Sequence, residues 1–179
     1  MLVGAGIVEV ALSTMRNPPP RGRALLAGAM LGALPDVDII LGILLGRGGT
    51  LHGTATHSFT AVALWAAVGT LLGGGRWGAV FGLGYASHLL MDLLDESGPT
   101  NLMLLWPFSG QRPYSLGKLF PKVPVLGDGV VDTIRHTLRP ESLLLLFQQT
   151  ALAGVFAALL VLLAAVLRRR RTRVAASGR

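Results

Sequence analysis

Apolar residues in this chain gather in long runs that no soluble fold accounts for. The longest, Leu143 to Leu167, holds no formal charge and is interrupted only by Gln148, Gln149 and Thr150. About 20 such residues are enough to cross a hydrocarbon core of roughly 30 Å, so a spanning helix is predicted there. Ser58–Gly74 and Trp77–Leu94 predict two more segments, separated by a Gly-rich turn with Arg76. Ala24–Gly46 predicts a fourth, although Asp36 and Asp38 lie in its interior. Leu2–Met15 is apolar and short, with only Glu9 inside it. It lacks the basic flank and small-residue cleavage site of a signal peptide, and is read as a first, short membrane helix. Asn17, Pro18, Pro19 and Pro20 end it. The fold class that follows is all-α: a polytopic membrane helical bundle with four to five hydrophobic segments.

Composition agrees. Hydrophobic residues make up 51% of the chain and charged residues 14%, against about a quarter charged in soluble domains. There are no cysteines, which excludes disulfides and thiolate metal sites. The net charge of +7 suggests a nucleic-acid partner until the charges are located. Arg168, Arg169, Arg170, Arg171, Arg173 and Arg179 supply most of the excess, so no direct nucleic-acid binding is expected. Arginine clusters beside a span are retained in the cytoplasm. Residues 1–167 then form one membrane-embedded domain of the inner membrane, with 96–142 as an outer or interfacial segment. Residues 168–179 form a basic cytoplasmic tail, where a cytoplasmic protein partner could dock. The linker with Arg16, Arg21 and Arg23 falls inside under this topology, and the loop 47–56 outside.

The informative residues are the polar ones within the apolar runs. An Asp at the centre of a span costs about 2.5–3.5 kcal/mol on insertion scales, so Asp36 and Asp38 need compensation. His52 and His57, and His88 and Asp92, are further candidates. His88 and Asp92 are four apart on a helix and share one face, with roughly 5–6 Å between Cβ atoms. Asp36 and Asp38 are two apart and would diverge by about 200° on a regular helix. Pro35 breaks the ladder and permits an irregular turn that presents both inward. His52 and His57 cannot share a helical face; Gly53 lets His52 sit in a loop while His57 opens the next helix. In the topology above all six lie toward the outer half of their segments. Imidazole and carboxylate donors suit zinc, and also manganese or iron. One or two such ions would activate water for hydrolysis. The same residues also suit a proton relay or cation path.

At these residues the chain resembles a bacterial inner-membrane metal-dependent hydrolase family, the LexA-binding, inner-membrane-associated hydrolases. The likeness is carried by Gly32-Ala33-Leu34-Pro35-Asp36-Val37-Asp38, by His52 with Thr56-His57-Ser58, by His88 and Asp92, and by Leu105-Trp106-Pro107-Phe108-Ser109. It spans roughly residues 2–125. It implies metal ligation by Asp36, Asp38, His52, His57, His88 and Asp92, and a hydrolytic role. Two positions depart from the family pattern. Members usually carry a His just before a stretch like Val3-Gly4-Ala5-Gly6, where this chain begins. Either the start is placed too late or one ligand is missing. Members also often have Arg after the first His of the His/His motif, where this chain has Gly53. The His88-to-Asp92 spacing is also similar to that of zinc-dependent phospholipase C and P1-type nucleases, which implies a phosphodiester substrate.

The expected function is therefore a membrane-bound metal-dependent hydrolase acting on a phosphodiester or lipid ester. Its catalytic nucleophile would be water, and its general acid is unassigned. Thr56 and Ser58 are expected as hydrogen-bond partners of the ligands. Arg112 and Lys118 are candidates for contact with a substrate phosphate, and membrane lipid is the expected surrounding partner. Two other classes fit less closely: an ion- or proton-translocating protein, and a non-catalytic adaptor using the basic tail.

Overall fold

The computed structural model describes residues 1–47, 51–95, 102–108, 119–120 and 130–177. Its helices are α1 (Leu2–Thr14), α2 (Arg21–Leu31), α3 (Val37–Leu44), α4 (Phe59–Gly73), α5 (Gly75–Leu94), α6 (Val130–Thr137) and α7 (Pro140–Ser177). Short 3-10 turns over Leu34–Asp36 and Ala55–His57 complete the regular structure. Among the described residues there is no strand, only an isolated bridge between Asp95 and Phe120. The protein is all-helical, as the apolar runs predict.

Among the described residues two segments are long and apolar enough to cross a membrane: Arg21–Leu44, of 24 residues, and Pro140–Val174, of 35. Leu2–Thr14 and Phe59–Gly73 are apolar but shorter. At 1.5 Å per residue, α1 and α4 reach about 20 Å, less than the roughly 30 Å of hydrocarbon. The arginine run is not a separate tail in backbone terms, because α7 continues through it to Ser177. Large apolar side chains such as Phe147, Val155 and Leu159 on α7 are exposed. Leucine and phenylalanine at such positions need an apolar solvent, which a bilayer supplies.

The chain divides into two compact units. The first comprises Met1–Gly32, Val62–Ser87 and Ala153–Arg179. Small residues set its packing. A β-carbon on Gly4 would stand 2.4 Å from the Gly28 carbonyl oxygen, and one on Gly84 2.9 Å from the Gly28 Cα. Glycines at these points let backbones approach more closely than any side chain allows. Val8, Leu12, Ala24 and Val80 form the buried core there, with Trp77 and Phe81 packed against it. Within this core's helix α1, Glu9 is 1% exposed. The Arg21 Nε–H faces both its carboxylate oxygens, at 3.1 and 3.0 Å. Arg168 from α7 also donates to it. Arg171 donates to the Met15 carbonyl at 2.5 Å. The first arginines of the run therefore fold back onto the end of α1.

The second unit comprises Ala33–Ala61 and His88–Leu152. Its framework is irregular backbone pinned by hydrogen bonds. Met103 N–H donates to Gly53 O at 2.9 Å, and Phe59 N–H to Leu104 O at 2.9 Å. The Thr60 hydroxyl donates to Trp106 O at 2.5 Å. The segment 102–108 is thus a strap across the loop that carries the histidines. Leu102 and Leu104 are its buried anchors. His136 lies on α6 with its Nε2 3.7 Å from Asp132 Oδ2.

Candidate metal centre

All six predicted ligands belong to the second unit, and three pieces of chain carry them. Pro35 ends the helical run: α2 stops at Leu31, and a 3-10 turn over Leu34–Asp36 delivers the backbone into α3. The two aspartates consequently leave the chain at a junction between helix types, and both reach the histidines. Gly53 adopts φ +82°, a conformation in which a β-carbon is strained, and this turns the chain between His52 and His57. The Ala55–His57 turn then feeds α4. Ser58 accepts the Ala61 N–H at 3.1 Å and donates to Ala55 O at 2.7 Å. It is the N-cap of α4. His88 and Asp92 come from the last turns of α5, on one face, as their spacing predicts.

Four donor atoms converge. His57 Nε2 and His88 Nε2 lie 3.3 Å apart. Asp92 Oδ2 is 3.2 Å from the first and 3.4 Å from the second. Asp36 Oδ1 is 3.3 Å from His88 Nε2 and 4.0 Å from His57 Nε2. Ligand atoms about 2.1 Å from a tetrahedral zinc ion stand about 3.4 Å apart, so these separations match the edges of a coordination shell. The groups His57–His88–Asp92 and Asp36–His52–His57 could each hold a metal ion.

The hydrogen bonds behind the donors decide which atoms are available. Asp38 is 5% exposed and faces both loop histidines from behind. Its Oδ1 is 3.0 Å from His52 Nδ1 and its Oδ2 is 3.2 Å from His57 Nδ1. Thr56 donates its hydroxyl to Asp38 Oδ2 and also lies 3.0 Å from His57 Nδ1. A carboxylate accepts only, so each Nδ1 carries the proton and each Nε2 presents its lone pair forward. The lone pair of His57 then points at Asp92 Oδ2, which is buried and has no hydrogen-bond partner. Two lone pairs facing each other at 3.2 Å repel unless a cation lies between them. For His52, burial disfavours the charged form, but the Asp38 hydrogen bond and charge outweigh it and hold the pKa above the usual imidazole value.

A family model of inner membrane proteins, YdjM, matches residues 1–174. The chain belongs to the YdjM inner membrane protein family. Membership and the two long apolar helices support residence in the inner membrane. No curated protein and no solved structure matched the chain. In this YdjM-family protein the predicted site residues resolve by location. Asp36, His52, His57, His88 and Asp92 have donor atoms in the two metal-competent groups, and Asp38 stands behind two of them. Thr56 donates its hydroxyl to Asp38, whereas Ser58 spends its hydroxyl on capping α4. Arg112 and Lys118 lie outside the described residues. The sequence reading missed two features: the strap at 102–108 and the double contact of Asp38. The Trp106-Pro107-Phe108 motif signalled the first, and its backbone position explains it.

Proposed function

We propose that this protein is a metal-dependent hydrolase of the inner membrane, with one divalent ion held by His57, His88, Asp36 and Asp92. The observation that carries the reading is the buried Asp92 Oδ2, without a hydrogen-bond partner and 3.2 Å from His57 Nε2. That arrangement suits a cation. With Nδ1 engaged by Asp38, His57 has one lone pair to offer, which favours one ion over two. His52, grouped with Asp36 and His57, would add a third nitrogen. Zinc fits two imidazoles and two carboxylates, and manganese or iron fits the same donors.

A divalent ion there supplies charge neutralisation and activation of water at neutral pH. The chain's own residues do the rest. Asp38 fixes the tautomer and direction of His52 and His57, and Thr56 fixes Asp38. Asp36, half-exposed at 48%, marks the side from which a substrate approaches. The resemblance to the inner-membrane hydrolases supports an ester or phosphodiester, including one in a lipid headgroup, as substrate. The apolar α1, α4 and α5 complete a reading of four or five membrane segments with the C-terminus in the cytoplasm. Because the chain has no cysteine, single-cysteine labelling from either side of the membrane tests that topology directly.

Metal content tests the site. Detergent-purified wild type, measured by elemental mass spectrometry, is expected to carry about one zinc, manganese or iron per chain, and His88→Ala with Asp92→Ala to carry none. A wild type that stays empty after incubation with all three ions sinks the hydrolase mechanism. A loaded wild type without turnover on phosphodiester and lipid ester panels keeps the centre and removes the chemistry.

A further inference from the structure

The first unit carries a surface that the metal centre does not use. Glu9 is the one acidic residue in its sequence, against Arg16, Arg21, Arg23, Arg76 and the arginine run of α7. Arg21 and Arg168 are committed to Glu9. Arg23 is exposed and makes no ion pair among the described residues. It opens a groove of about 420 Å³ whose other walls are Leu26, Met30, Leu72, Trp77 and Phe81.

The order of these residues along α2 is informative. Arg23, Leu26 and Met30 occupy positions i, i+3 and i+7, one stripe of a helix. The cation stands in the first turn and the apolar side chains follow it along the helix. Leu26 and Met30 are each 62% exposed, and Leu72 is 75% exposed. Trp77 and Phe81, one turn apart on α5, meet edge to face at 6.1 Å and form the rigid wall. Arg76 precedes Trp77 at the same helix start. A ligand matching this groove has an anionic head, to sit against Arg23, and an aliphatic tail, to lie along the apolar stripe.

We propose that this groove is a binding site for one anionic phospholipid, its phosphate on Arg23 and one acyl chain along Leu26, Met30 and Trp77. Charge complementarity separates this occupant from bulk zwitterionic lipid. Each arginine near an anionic leaflet contributes about a fivefold preference, and the groove adds apolar contact that a free phosphate cannot use. The site is independent of the metal reading.

Trp77 provides the readout. In a Trp65→Phe, Trp106→Phe background, full-length protein is placed in phosphatidylcholine vesicles containing brominated phosphatidylglycerol or, separately, brominated phosphatidylcholine. Brominated phosphatidylglycerol is expected to half-quench Trp77 at about one-fifth the mole fraction needed for brominated phosphatidylcholine. Arg23→Gln should abolish that preference, while Arg173→Gln should leave it intact. Equal quenching by both lipids overturns the proposal. So does a preference that survives Arg23→Gln, since it would report only diffuse surface charge. If the double-Phe background does not fold, native mass spectrometry of wild type and Arg23→Gln decides the same point. Retained phosphatidylglycerol must fall in the variant, and equal retention refutes the site.

Discussion

Both units bury carboxylates, and they neutralise them in opposite ways. In the first, Glu9 is met by two guanidinium groups from elsewhere in the chain. In the second, Asp36, Asp38 and Asp92 face imidazoles, with the Thr56 hydroxyl also on Asp38, and among the described residues no arginine or lysine pairs with any of them. A guanidinium is charged at every accessible pH. An imidazole is not, so the second cluster has a deficit of positive charge that no arginine or lysine among the described residues fills. A buried charge without a partner is expensive. The first cluster is neutralised by the chain's own arginines, whereas the second presents donors that could hold a metal ion.

The largest effect expected from this comparison is on removal of metal. A ligand at about a thousandfold its Kd stabilises the folded state by about 4 kcal/mol. Stripping loaded protein with a chelator should therefore lower its thermal unfolding temperature clearly, and adding the ion back should restore it. The Asp92→Asn variant should unfold at the same temperature with and without chelator. A chelator response that persists in Asp92→Asn would mean the ion sits elsewhere.

Glu9→Ala should come next. Losing one side of a buried ion pair costs about 3–5 kcal/mol. The Arg21 side chain is 66% exposed and that of Arg168 40%, so the charges left behind reach solvent and the loss should be well below that figure. The loss should appear equally with and without metal. A metal-dependent loss would break the separation between the two clusters.

Asp38→Asn probes the backing of the histidines. Replacing such a supporting carboxylate typically weakens metal affinity by about 10–100-fold, and titration of apo protein with zinc should show that loss with the fold retained. Unchanged affinity would show that Thr56 and the strap alone hold the rings.

Which parts of this picture were legible beforehand follows from how local each signal is. The face shared by His88 and Asp92 is a helical spacing, and Pro35 announces the irregular turn at Asp36; both sit in the primary sequence. The apolar runs gave the helical class, and the runs Leu2–Met15 and Ser58–Gly74 are themselves as short as the helices α1 and α4 they form. The tasks of Asp36 and Asp38 were not separable, because which one stands in front depends on how the loop 51–57 folds back. The Glu9–Arg168 pair joins residues 159 positions apart, with no pattern linking them. Arg168, the first of the arginine run, is a counter-ion of Glu9.

The smallest effects come from two glycines, one near each cluster, and they should have opposite signs. Gly53 adopts φ +82° between the two loop histidines, and its carbonyl receives Met103 from the strap. A left-handed conformation costs an alanine about 1 kcal/mol, so Gly53→Ala should destabilise the protein by about that much and weaken metal binding several-fold. Gly22 follows Arg21 on α2, and a β-carbon there meets nothing within 4 Å. In a helix alanine is better than glycine by about 0.5–1 kcal/mol, so Gly22→Ala should stabilise slightly and leave metal affinity untouched. Denaturation curves of both variants in the same detergent, beside zinc titrations, check the pair. If Gly53→Ala proved neutral in both measurements, the loop could re-form around a side chain there. The metal cluster would then owe its geometry to Asp38 and the strap rather than to the turn.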